Sequence, residues 1–252
     1  MRPLFLEPLP LLALTGIGLH DKAAMFHHDL GQFVTNREVL AWTLGLGFGM
    51  SYRVRAAALA EDAPRERLRW LDRLQKSVCA RYVGEPLRSF EHDRGPAPTE
   101  EDDGVLRATY GPVRVVANLG PKPRLERGHL LAPYGFYATA PGVVAAHLKS
   151  LGGSDFGDEG VAFITEGQAH RAEVWVYAAP GQEVGVEMPS GMSGPVQVVL
   201  EAQSPMEKAL LDGILRFRLP AYHGEEPAEP AAPVRAGGLR YLWHGVVTAP
   251  GN

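Results

Sequence analysis

Cysteine is nearly missing from this sequence: Cys79 stands alone, which excludes an internal disulfide and a cysteine-based zinc site. It falls within residues 74–82, which read as a helix, so a small buried core residue is expected rather than a nucleophile. A basic excess is missing too. With 25 Lys and Arg against 29 Asp and Glu the net charge is −4, and without clustered cations no nucleic-acid partner is expected. No stretch approaches the roughly 20 apolar residues that span a bilayer, so a soluble chain with no membrane partner is expected. Residues 1–14 are apolar, but Pro3, Glu7, Pro8 and Pro10 interrupt them and no small-x-small cleavage site follows. That is not the pattern of a signal peptide, and the compartment stays open. Complete catalytic signatures are absent as well. Ser190 lacks a Gly-x-Ser-x-Gly frame and reads as part of a turn. Gly45, Gly47 and Gly49 come late in a helical pattern, the wrong context for cradling a phosphate. No cofactor is expected.

What is present suffices for a large core. The chain has 252 residues, 45% of them hydrophobic, a length that accommodates one or two domains. The expected fold class is α+β: a partial α/β segment over residues 1–90, then antiparallel β-sandwich structure over residues 104–252, divisible into two small β units.

The stretch that organises the first part is Phe26-His27-His28-Asp29-Leu30, a short apolar and aromatic run that carries two histidines and an aspartate to its end. A polar loop follows, then a helical pattern from Asn36 to about Gly49 with Val39, Leu40, Trp42, Thr43, Leu46 and Phe48. Thr35 and Glu38 have the spacing of a capping box, which starts the helix there. Each of the three glycines costs roughly 1 kcal/mol relative to alanine in a helix, so they are expected to allow close approach to a neighbouring sheet. His27, His28 and Asp29 thus fall at the carboxyl end of a strand, where α/β folds build their sites, and they are the candidate substrate-binding residues. Two readings stand open. Asp29 and the imidazoles hydrogen-bond sugar hydroxyls, or one histidine packs within the strand while Asp29 caps the loop. A metal held by His20, His27 and His28 is disfavoured, because adjacent strand residues point to opposite faces. Asn36, Arg37 and Glu38 shape the rim of the site or cap the helix.

A second helix starts at Pro64, with Leu68, Leu71, Leu74, Gln75, Val78 and Tyr82 on one apolar face, Trp70 at its edge and Arg65, Glu66, Arg67, Arg69, Asp72, Arg73 and Lys76 on the rest. The acidic, proline-bearing residues 91–103 read as a solvated linker. From there the pattern is β. Residues 105–110 and 113–118 flank a turn at Gly111-Pro112. Further strands are expected at 129–139, 160–165, 172–178, 183–188, 196–202 and 214–219, with apolar pieces at 143–148 and 239–244 and a linker at 225–233. Trp175, Tyr177, Tyr241 and Trp243 suit core packing better than stacking on sugars, given the area each buries.

Phe26-His27-His28-Asp29-Leu30, followed by residues 35–44 and Gly47-Phe48-Gly49-Met50-Ser51-Tyr52, resembles the last strand and closing helix of TIM-barrel glycoside hydrolases related to the α-galactosidase-like clan. In that family an antiparallel β-domain follows the barrel. Residues 110–118, ending in Asn118, with Leu131-Ala132-Pro133-Tyr134-Gly135-Phe136, are similar to that domain, where a strand ending in Asn precedes a Pro-x-Gly-Phe strand. The resemblance spans roughly residues 20 to 140. It implies a carboxyl-terminal part of a carbohydrate-active protein, a carbohydrate or glycan as partner, and a substrate-facing role for His27, His28 and Asp29. Such enzymes carry paired carboxylates on earlier barrel strands, so the resemblance also implies that the catalytic pair lies on an upstream polypeptide. The alternative is a non-catalytic carbohydrate-binding or structural β-module.

Overall fold

The computed structural model describes residues 24, 26–27, 37–51, 59–94, 103–200, 206–221 and 240–249. Strand β1 (Phe26–His27) is followed by helix α1 (Arg37–Gly45) and strand β2 (Gly49–Met50). Helix α2 (Asp62–Leu74) runs through a π-helical turn (Gln75–Cys79) into α3 (Ala80–Tyr82). Fifteen strands follow: β3 (Leu87–Asp93), β4 (Val105–Tyr110), β5 (Val113–Asn118), β6 (Arg124–Glu126), β7 (His129–Leu131), β8 (Phe136–Ala140), β9 (Val143–Leu151), β10 (Ser154–Asp155), β11 (Val161–Gln168), β12 (Arg171–Ala178), β13 (Glu183–Glu187), β14 (Pro195–Leu200), β15 (Met206–Ala209), β16 (Ile214–Arg218) and β17 (Tyr241–Thr248).

Thirteen of these strands form one antiparallel sheet, ordered β15-β14-β17-β12-β11-β9-β8-β5-β4-β3, with β10 and the β6–β7 hairpin attached at β9. A β-rich α+β architecture is therefore what the chain adopts. Alternation along each strand sends side chains to opposite faces, and both faces are buried. On one face, Leu106, Ala108 and Tyr110 of β4 and Val113, Val115 and Ala117 of β5 pack against the buried sides of α1, α2 and the π turn. On the other, Phe163 of β11 and Val174 and Val176 of β12 are covered by the two-stranded sheet β13–β16 through Val184, Val186, Leu215 and Phe217. Leu106 is wholly buried, a gain of about 1.5–3 kcal/mol for a leucine side chain.

The helical face is pinned by polar contacts that the amphipathic pattern does not reveal. Glu66 sits on the charged side of the sequence pattern, yet it is buried; its carboxylate accepts from Arg69 at 3.0 Å and from the Leu242 N–H at 3.1 Å, which fixes α2 on β17. Trp70, expected at the edge of the stripe, is buried and stacks on Tyr177. Cys79 is buried in the helix as the sequence suggests.

The helix predicted to run to Gly49 ends at Gly45. Gly47 takes φ +70°, where a side chain would be strained, and the chain turns into β2. The glycines do allow close approach. A Cβ on Gly45 would lie 3.2 Å from Leu106 of the sheet, and one on Gly49 would lie 2.5 Å from the Phe26 ring. The strand predicted over 129–139 is two strands, because Tyr134 adopts φ +53° and breaks the ladder. Residues 91–93, read as part of a linker, belong to β3. The Arg107 guanidinium on the neighbouring strand lies 2.9 Å from Glu91 and 3.7 Å from Asp93, so their charge does not keep them out of the sheet. Residues 95–102 lie outside the described residues.

Candidate functional site

Of the three residues singled out as substrate-binding, His27 is described in its main chain alone: it pairs in parallel with Met50 as Phe26 pairs with Gly49. His28 and Asp29 lie outside the described residues, as does the loop to Asn36, including Thr35 of the expected capping box. The described shoulder of that loop is Arg37, the first residue of α1.

Arg37 leads into a cluster assembled from four parts of the chain. Its guanidinium is ion-paired with the carboxylate of Glu159, in the turn before β11. Arg240, immediately before β17, lies 3.8 Å from the same carboxylate. The Arg240 guanidinium donates to the carbonyls of Gly160 at 2.5 Å, Tyr177 at 3.2 Å and Glu159 at 3.3 Å, and it lies over the Tyr177 ring, 5.6 Å from its centroid. Burial, then repulsion from Arg240 and Arg67, holds Arg37 below the ordinary arginine value, even with Glu159 in contact. Burial likewise lowers Arg240, with Arg67 adding to it.

His147, on β9, lies beneath this cluster and is almost fully buried. Its Nε2 is 2.8 Å from the Glu159 carbonyl, and since a carbonyl only accepts, that nitrogen carries the proton of a neutral ring. Burial first, and then Arg37 and Arg240, push its pKa well below 6.5.

A second polar cluster lies on the other face of the sheet. Tyr137 of β8 donates to Glu187 Oε1 at 2.9 Å, His129 of β7 places Nε2 2.8 Å from Glu187 Oε2, and the two rings stack at 4.0 Å. Burial, reinforced by the Glu187 charge, raises the Tyr137 phenol, so it remains a neutral donor. Main chain anchors the group, as Thr165 Oγ1 donates to the Glu187 carbonyl at 2.7 Å.

The aromatic candidates divide. Trp175 is buried, with the Arg73 guanidinium 3.5 Å from its ring centroid on one side and His244 stacked at 5.1 Å. Tyr177, Tyr241 and Trp243 are half-buried. Ser190 lies in the turn between β13 and β14. Among the described residues no three of His, Cys, Asp and Glu are grouped to hold a metal ion, and no helix is long and apolar enough to cross a membrane.

Sequence reading named Arg37 only as a rim residue and put Arg67 among solvated helix charges; Arg240 it passed over. The one signal was a cation heading an otherwise apolar strand, Leu239-Arg240-Tyr241-Leu242-Trp243. No protein-family model matches the chain, and no curated protein matches it.

Proposed function

We propose that this chain is the carboxyl-terminal part of a glycoside hydrolase-like, carbohydrate-active protein, contributing the end of a TIM barrel and the β-domain that braces it. In this reading His27, His28 and Asp29 face the carbohydrate, and the catalytic carboxylates belong to an upstream polypeptide. The observation that carries it is the parallel pairing of β1 with β2 on either side of α1, since parallel neighbours joined by a helix are the unit from which α/β barrels are made. Further support comes from the antiparallel β-structure that follows and from the contact between the two halves of the Asn and Pro-x-Gly-Phe motif. Asn118 donates to the Ala132 carbonyl at 2.9 Å, and its N–H donates to the Gly135 carbonyl at 2.9 Å.

The test is a glycan-binding measurement on the chain and on Asp29→Ala. Loss of binding in Asp29→Ala, with the fold retained, is the expected result. Turnover of aryl glycosides by the chain alone would contradict the placement of the carboxylates elsewhere. A second reading, a non-catalytic carbohydrate-binding β-module, is favoured by the Tyr137–Glu187–His129 cluster, which belongs wholly to the β-structure. Under it, Tyr137→Phe weakens glycan binding and Asp29→Ala does not.

A further inference from the structure

We propose that Glu187, His129 and Tyr137 form an ammonium subsite for the amine of an amino sugar; this rests on the carbohydrate reading above and sharpens its β-module form. Glu187 ends β13, and its carboxylate is met by two donors that carry no charge. Tyr137 donates to Oε1 at 2.9 Å, and His129 Nε2 lies 2.8 Å from Oε2. The phenol, raised by burial and then by the Glu187 charge, keeps its proton. His129 carries its proton on Nε2, because Nδ1 is buried with no hydrogen-bond partner among the described residues, and a second proton there would find no acceptor. The negative charge is thus solvated but not cancelled.

No lysine or arginine among the described residues forms an ion pair with Glu187; its one basic neighbour is His129. Glu126, opposite His129 in the β6–β7 hairpin, already has Arg107 at 2.6 Å, and Arg107 is shared further with Glu91 at 2.9 Å and Asp93 at 3.7 Å. That guanidinium is therefore spent. Arg114, on the strand beside β8, is exposed and forms no ion pair with Glu187 among the described residues. A carboxylate offers about four acceptor positions, and Tyr137 and His129 take one on each oxygen. The Glu187 side chain keeps 27% of its surface in solvent, the way in for a small donor. Its main chain is fixed by Thr165 Oγ1 at 2.7 Å, and the two rings stacked at 4.0 Å hold the neutral donors in place, so the carboxylate is preorganised. A charge drawn this far from water gains more from a counter-ion than from a third neutral hydrogen bond. An ammonium brings both the N–H donors and the opposite charge, whereas a hydroxyl brings the donor alone.

The experiment is calorimetric titration of the full chain, Glu187→Gln and Tyr137→Phe, at mildly acidic pH where a sugar amine is protonated. The ligands are a glucosamine oligosaccharide, the matching neutral glucose oligosaccharide, and methylammonium chloride alone; thermal melts verify that each variant is folded. The amino saccharide is expected to bind the parent chain roughly tenfold more tightly than the neutral one, one charge-assisted contact's worth. Glu187→Gln is expected to abolish that preference. Tyr137→Phe removes a neutral donor and leaves the charge, so both saccharides bind more weakly and the ratio between them survives, a result that decides the matter even if Glu187→Gln does not fold. The two saccharides binding the parent chain alike, a preference unchanged in Glu187→Gln or lost in Tyr137→Phe, or no binding by any of the three ligands would overturn the subsite. Methylammonium binding that Glu187→Gln removes, with neither saccharide bound, would uphold an ammonium subsite and overturn the carbohydrate reading.

Discussion

The side-chain amide of Asn118, the last residue of β5, donates to the carbonyl of Ala132 at 2.9 Å, fourteen residues away in the turn before β8. The same amide donates to Lys122 O at 2.7 Å, and its Oδ1 accepts from the Gly120 N–H at 3.1 Å. Asn118 is fully buried, so each of these bonds replaces a contact with water. Asn118→Ala strands the Lys122 carbonyl and the Gly120 N–H and leaves the Ala132 carbonyl only the Gly135 N–H, and is expected to cost about 2–4 kcal/mol at 1–3 kcal/mol per unsatisfied group, with partial relaxation. Asn118→Asp recovers only the acceptor and is expected to be at least as damaging. Urea unfolding of the three proteins checks this; a cost below about 0.5 kcal/mol for Asn118→Ala would show that the turn does not depend on it.

Glu166 ties the helices to the sheet. On β11, its carboxylate accepts from Arg81 at 2.6 Å, Arg73 at 2.5 Å and Ser77 at 2.9 Å, one donor each from α3, α2 and the π turn. It is about a quarter exposed, so solvent screens the ion pairs, but three charge-assisted or hydroxyl bonds on one group still add up. Glu166→Gln is expected to lose about 1–2 kcal/mol, and in a double-mutant cycle with Arg81→Gln the two losses should fall short of additive. Strict additivity would mean that the pair contributes nothing in the folded state.

His147 makes stability depend on pH. Its folded-state value lies below the ordinary 6.5 because of burial and then the two arginines, so the unfolded chain takes up the proton first as pH falls. Its contribution is therefore intact above about pH 6.5 and is lost progressively as pH drops below that value. The slope is at most one proton's worth, about 1.4 kcal/mol per pH unit. His147→Gln, which keeps a donor for the Glu159 carbonyl, should flatten the fall in unfolding free energy between pH 7 and 5. Equal slopes in both proteins would assign that fall to other groups.

The sequence announced most of the strands and few of their partnerships. Residues 105–110, 113–118 and 172–178 stand out because branched and aromatic residues alternate between Gly and Pro turns, and that pattern reflects local geometry alone. That β17 lies between β14 and β12 was not legible, since strand order is decided by which faces bury together. The same holds for the candidate site. The His27–Asp29 stretch is contiguous and could be seen, whereas Arg37 and Arg240 meet only at Glu159, which folding brings to both from the turn before β11. Glu66 misled for a related reason: its position in the helical period marks it as solvated, and the N–H of Leu242 makes it a buried acceptor.

The position of β17 has a cost during synthesis. Until residues 241–248 leave the ribosome, β12 has a bare margin of unsatisfied N–H and C=O groups, and the β14–β15 hairpin has no neighbour to join. A nascent chain at that stage presents a ready template for foreign strands. Shielding of that margin falls to whatever accompanies the polypeptide until β17 slots in.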